Sequence, residues 1–282
     1  MRNPGSVMAV AGDGTFAGSL SGGCIEQAVV SEALEAMHAG ATRMVRFGAG
    51  SPYLDIKLPC GGGLDLHFVP LDPQLRIGEQ CCASISARSP FSLTMLDGAI
   101  AHRPHWQAAS FEPVSQEWTF GFWPAPKLLI IGHGAGVPAL DGLAREMGCH
   151  SHIVTPDQTI AHSLSEGASV TRIERTNQVA LLESDPWTAI IFLFHDHDWE
   201  TDLLVRALEL PHFYLGAMGG RTAHANRIQS LQDRGVEPSR IDQIKAPIGM
   251  FHSSRDPKTL ALSTMAEVVK AYQDTDFGAE LG

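Results

Sequence analysis

The run Leu128-Leu129-Ile130-Ile131-Gly132-His133-Gly134-Ala135-Gly136-Val137 constrains the fold most. A strand that is apolar at every position has no face to offer water, so it belongs inside a parallel sheet covered by helices on both sides. Further strands are expected at residues 151–155, 188–194 and 212–215, with helices at 137–147, 199–208 and 257–272. This alternation predicts an α/β domain over residues 124–282, a Rossmann-like doubly wound parallel sheet.

In such a sheet, ligands sit where strands end and helices begin. Gly132, Gly134 and Gly136 form a turn that resembles the dinucleotide fingerprint, in which glycines let a pyrophosphate reach a helix N-terminus. The third fingerprint position is Val137 rather than Gly or Ala, and Asp157 stands late for the acid that holds a ribose. The turn therefore reads either as an NAD(P) site or as a Rossmann turn without a dinucleotide, with an anionic ligand of some kind expected there. In His195-Asp196-His197-Asp198 only alternate residues converge on an extended chain, so His195 and His197 form the pair. Their place after a buried strand favours ligand contact over a metal, with helix capping by Asp198 as the alternative. Gly216, Gly219, Gly220 and Arg221 make another strand-end turn. Arg221 either clamps a phosphate with its planar fork or is a solvated surface cation.

The N-terminal half is richer in glycine, with short strands and one good helix. Ser21-Gly22-Gly23-Cys24-Ile25-Glu26 lies between an expected hairpin (residues 8–10 and 16–20) and an expected helix at 25–39. The helix carries Ile25, Val29, Val30, Ala33, Leu34 and Met37 near the 3.6-residue period. Ser21 is of the type that caps a helix start. Cys24, beside the first turn, would have its thiolate favoured by free N–H groups and the helix dipole. Glu26 either holds a ring nitrogen or favours the helix start by its charge. Strands expected at 58–60 and 64–70 flank Gly61-Gly62-Gly63, which places Cys60 beside paired glycines as well. Residues 73–123, with a helix at 73–86 and strands at 91–96 and 118–122, read as a connecting segment. Cys81, Cys82 and Cys149 read as structural.

The formal charge of −11 and the absence of a Lys/Arg cluster argue against nucleic acid as a partner. No run approaches the roughly 18 to 20 apolar residues needed to span a bilayer. The first residues lack the apolar core of a signal peptide. Five cysteines without a Cys-x-x-Cys pair point to reduced thiols and a cytoplasmic protein.

Three motifs taken together resemble the XdhC/CoxI family of xanthine dehydrogenase accessory factors. They are Pro4-Gly5-Ser6-Val7-Met8, Gly22-Gly23-Cys24-Ile25-Glu26 and Leu58-Pro59-Cys60-Gly61-Gly62. The second half adds the Leu128–Gly134 turn, His195-Asp196-His197, Tyr214-Leu215-Gly216-Ala217-Met218-Gly219-Gly220-Arg221, Ala246-Pro247-Ile248-Gly249 and the segment 260–267. The chain departs from the family pattern in three ways. It begins after the family's first strand and helix, Gly220 stands where Ser is frequent, and Phe251-His252-Ser253-Ser254 replaces Leu-Asp-Ile-Gly.

The resemblance implies three parts: an N-terminal small α/β domain at 1–72, the connection at 73–123, and the Rossmann domain at 124–282. It also implies a chaperone, not a turnover enzyme. Such a protein binds molybdenum cofactor (molybdopterin), supports its sulfuration by a cysteine desulfurase, and hands it to a xanthine dehydrogenase or aldehyde oxidase-type apoenzyme. A homodimer is expected. Soft thiolates at Cys24 and Cys60 would suit molybdenum or persulfide chemistry, with burial as small apolar side chains the alternative. The cofactor-binding set is then Gly22, Gly23, Cys24, Glu26, Cys60, Gly61, Gly132, Gly134, His195, His197, Gly219 and Arg221. Two other readings compete: an NAD(P)-dependent oxidoreductase using the Gly132–Gly136 turn, and a regulatory module without turnover.

Overall fold

A computed structural model of the chain describes residues 5–20, 25–51, 58, 61–164, 169–194, 199–251 and 256–281. It divides into two compact units, Met1–Pro124 and Ala125–Gly282.

The first unit opens with a hairpin of two short strands, β1 (Ala9–Val10) and β2 (Phe16–Ala17). Asp13 holds its turn by accepting from the Thr15 N–H (2.9 Å) and hydroxyl (2.7 Å), the local chemistry that places Asp in turns. Helix α1 (Glu26–Ala39) follows. Its N-cap is Ile25, which supplies no side-chain cap. Glu26 turns back instead, accepting from the Ile25 N–H and the Ser19 hydroxyl, both at 3.1 Å. Ser21 and Cys24 lie outside the described residues. Strands β3 (Arg43–Gly48) and β4 (Gly63–Phe68) pair antiparallel, and Val45, Phe47 and Phe68 pack on Ile25, Val29 and Ala36.

Helix α2 (Ile77–Ser86) leads into β5 (Phe91–Leu96), β6 (Ala99–Arg103), β7 (Ser110–Glu112) and β8 (Glu117–Phe122). These strands form an antiparallel sheet in the order β6-β5-β8-β7. The helix and two strands lie close to where periodicity puts them. β6 and β7 carry half-exposed or exposed residues throughout, so no apolar alternation announces them. A tight turn at Asp97-Gly98, with φ of 49° and 77°, joins β5 to β6 in the manner of two-residue hairpins.

The second unit alternates β9 (Lys127–Gly132), α3 (Gly136–Glu146), β10 (His150–Thr155), α4 (Gln158–Leu164), β11 (Ser169–Arg172) and β12 (Thr188–Leu193). It continues with α5 (Thr201–Glu209), β13 (Tyr214–Ala217), α6 (Arg221–Asp233), α7 (Pro238–Ile241), α8 (Pro257–Asp274) and α9 (Phe277–Leu281). All five strands are parallel, in the order β11-β10-β9-β12-β13.

The apolar run of β9 is explained by its two coverings. Leu128 and Ile130 join Val137, Leu140 and Ala144 of α3 and Ala261, Met265 and Val268 of α8. Leu129 and Ile131 join Leu203, Leu204 and Ala207 of α5 and Leu231 of α6 on the other face. The sheet is therefore doubly wound, with an α/β layering in both directions. α6 carries no apolar stripe, because only Arg227 and Leu231 are buried along it; its sequence reads as a polar turn for that reason. β11 is a short edge strand that buries none of its residues fully.

Ile130 is fully buried, whereas Met44 is 64% exposed. Ile130→Ala is expected to lower the unfolding free energy by about 2–5 kcal/mol, and Met44→Ala to change it by no more than about 0.5 kcal/mol. Chemical denaturation of the two variants checks the contrast. Burial also holds His152 and His212 below the ordinary histidine value of 6.5. The unfolded chain therefore takes up protons that the native one refuses, and stability is expected to fall as pH drops below about 6.5. Replacing both histidines by Gln should flatten that part of a stability–pH curve.

Candidate functional site

The strand order reverses between β9 and β12, so the connections leaving these two strands diverge and open a crevice at their C-terminal ends. The strands stay paired to the very end, with Gly132 opposite Leu193 and the His133 N–H donating to the Leu193 carbonyl at 3.3 Å. A Cβ on residue 132 would lie 2.5 Å from the Leu193 carbonyl oxygen, so only glycine allows this approach. The Gly134 carbonyl then accepts from Val137 N–H at 3.2 Å, and α3 starts with no side-chain cap. Val137 N–H is thereby taken and Pro138 has none, so among the described residues the Gly136 N–H is what this helix start leaves for an acceptor. Val137 is fully buried beside Leu140, so the position that is Gly or Ala in the fingerprint here holds a packed core side chain. His195 and His197 lie outside the described residues.

One strand further on, β13 runs into the turn Met218-Gly219-Gly220 and then α6. Gly219 has φ of 128°, and a Cβ there would approach the Ala223 Cβ to 2.9 Å. Arg221 is exposed at the first position of α6. Beneath the turn lies Arg227, 3% exposed, with Glu200, 1% exposed. Arg227 donates from Nε to Glu200 Oε2 (3.1 Å), and from Nη2 to Glu200 Oε1 (2.9 Å) and to the Met218 carbonyl (2.8 Å). This bidentate pair ties the residue before α5 to α6 and to the end of β13. Desolvation, followed by the charge of Arg227, holds the neighbouring His224 below its ordinary value. Neither Glu200 nor Arg227 was legible as a site residue. They stand far apart in sequence, and a buried ion pair leaves no mark on either segment.

In the first unit, Glu26 is buried and already bonded to Ser19 and Ile25, while Gly61 lies in an exposed turn whose N–H donates to the Leu58 carbonyl at 2.8 Å. Gly22, Gly23, Cys24 and Cys60 lie outside the described residues. Cys149 is buried, Cys81 half-buried and Cys82 exposed. Among the described residues no group of three His, Cys, Asp or Glu side chains could hold a metal ion, and no helix is long and apolar enough to cross a membrane.

Residues 128–268 match the family model described as the XdhC Rossmann domain, and residues 1–48 that of the XdhC and CoxI family. The chain is 36% identical to the molybdenum cofactor insertion chaperone PaoD of Escherichia coli K12, over 98% of this chain and 81% of that protein. The chain belongs to the XdhC and CoxI family. Another relative, described as uncharacterized protein YqeB of the same organism, is 22% identical over 96% of this chain and 41% of its own length. A crystal structure of a xanthine dehydrogenase from Bacillus halodurans shares the fold, with a TM-score of 0.78 at 19% identity over 99% of this chain and 89% of that one.

Several XdhC motif residues prove to hold the domain together. Tyr214 O–H donates to Glu267 Oε2 at 2.7 Å, and the Gly249 N–H reaches the same oxygen at 2.6 Å. Phe251 N–H donates to Ser263 Oγ at 2.7 Å. The segment after β13 is thereby fastened to α8, and burial together with Glu267 pushes the Tyr214 hydroxyl pKa up.

Arg227→Leu takes the cation from a buried carboxylate and is expected to destabilise the protein by about 3–5 kcal/mol. Joining Glu200→Leu to it should restore part of that loss. Denaturation of the two variants measures the difference, and a double variant no better than the single one would contradict the pairing.

Proposed function

We propose that this XdhC/CoxI protein takes molybdenum cofactor (molybdopterin) as cargo, holds it while a cysteine desulfurase exchanges an oxo ligand for sulfur, and delivers it to a xanthine dehydrogenase or aldehyde oxidase-type apoenzyme. The observation that carries the reading is the 36% identity, running through both units, to a relative that bears the name of a molybdenum cofactor insertion chaperone. Geometry agrees with it. The turn at Gly132 and Gly134 and the turn at Gly219 and Arg221 both end parallel strands and both begin helices without side-chain caps. The start of α6 offers its first N–H groups to an anionic group, and the start of α3 offers the Gly136 N–H.

In this reading residues 124–282 grip the anionic part of the cargo, with His195 and His197 beside it. The N-terminal domain at 1–72 brings Cys24 and Cys60, with Gly22, Gly23 and Gly61 allowing close backbone approach and Glu26 holding the helix start. The thiols, as thiolates, are soft donors suited to molybdenum or to a transferred sulfur. The protein acts as a cytoplasmic homodimer and as a carrier, without turning over a metabolite.

Protein purified anaerobically from cells that make molybdopterin should carry pterin, detected by mass spectrometry or by fluorescence after oxidation. Cys24→Ser and Cys60→Ser should each lose most of it. Unchanged pterin in both variants sinks the thiol roles. Tight binding of NADPH with no pterin binding, measured by calorimetry, replaces the carrier reading with the oxidoreductase one.

A further inference from the structure

We infer that the turn Met218-Gly219-Gly220 and the start of α6 form a phosphate subsite, built from the first N–H groups of α6, the Arg221 guanidinium, the His224 ring and the buried Nη1 group of Arg227. The deciding observation is a donor left over inside the protein. Arg227 is 3% exposed, and its Nε and Nη2 are taken by Glu200 and the Met218 carbonyl. Nη1 is shielded from solvent and has no hydrogen-bond partner among the described residues. A buried donor left without an acceptor destabilises the fold, and an arriving acceptor oxygen removes that cost.

Three further features converge on the same place. His224 Nδ1 is also shielded and without a partner among the described residues. It sits three residues after Arg221, which is exposed, and three before Arg227, which is buried, so it neighbours each of them along α6. The N-cap of α6 is Gly220, whose extended backbone supplies no side-chain cap, and the first N–H groups of the helix are left for another acceptor. A Cβ built on Gly220 meets no atom within 4 Å, so the space over the turn is open.

Charge decides the ligand class. Glu200 neutralises Arg227, so Arg227 contributes a donor rather than net charge, and Arg221 supplies the attraction. In a chain of net charge −11, a local positive site is set apart from its surroundings. Donors arriving from the helix axis, from Arg221 and from the interior need an acceptor with oxygens pointing in several directions. A phosphate has them, and a planar carboxylate does not.

The subsite deepens the carrier reading only in naming what would carry the phosphate, since molybdopterin ends in a phosphate ester. Its own test uses inorganic pyrophosphate, titrated calorimetrically into the full-length protein. Wild type is expected to bind. Arg221→Gln and His224→Ala should each weaken binding by about tenfold or more, the effect of losing one charge-assisted hydrogen bond. Arg175→Gln, which removes an exposed cation elsewhere on the domain, should leave it unchanged. No binding by wild type, equal affinity in the two site variants, or an equal loss in Arg175→Gln overturns the subsite. Pyrophosphate binding that survives while no pterin is retained upholds the subsite and counts against the carrier reading alone. Pterin retained by a wild type that does not bind pyrophosphate does the reverse.

Discussion

The second unit depends on one constraint: β9 is buried on both faces. Leu128 and Ile130 are closed off by α3 and α8, and Leu129 and Ile131 by α5 and α6. A central strand so enclosed can pair only in the sheet plane, with β10 on one side and β12 on the other. The chain must leave its end abruptly, since no side chain fits between β9 and β12 at Gly132.

The same logic assigns the family's motif residues to two different tasks. Tyr214 and Gly249 donate to Glu267, and Ser263 accepts from the Phe251 N–H, which fastens the segment after β13 to α8. Gly132, Gly134, Gly219 and Arg221 stand where strands end and donors are left over. A sequence motif does not distinguish fastening from binding, whereas an account of which polar groups already have partners does.

The α/β class and the positions of β9, β10 and β12 were legible, because apolar runs of strand length leave few other solutions. α3, α5 and α8 were legible as well. α6 was not, because it lies on the sheet through Leu231 while its remaining buried side chain is the polar Arg227. β6 and β7 were hidden for a related cause, since residues open to solvent carry no pattern. The histidines of the first unit show the same limit. His102 bonds to the Ser84 hydroxyl at 2.9 Å and stacks on Phe91, partners that only folding brings near.

By itself the sequence determined the layering of the second unit and the glycine turns at its strand ends, because both depend on local composition: apolar strands must be covered, and tight approaches need glycine. It also supplied enough separate motifs, in order, to point to the XdhC/CoxI family. Only the tertiary structure decided which polar groups meet. Glu200 finds Arg227 beneath the turn after β13, Glu26 closes on Ser19 rather than projecting from its helix, and one Arg227 nitrogen and the His224 ring are left with capacity to spare. The reason is physical: burial follows patterns of apolar residues along the chain, whereas hydrogen bonds and ion pairs depend on distances that exist only after the chain has folded.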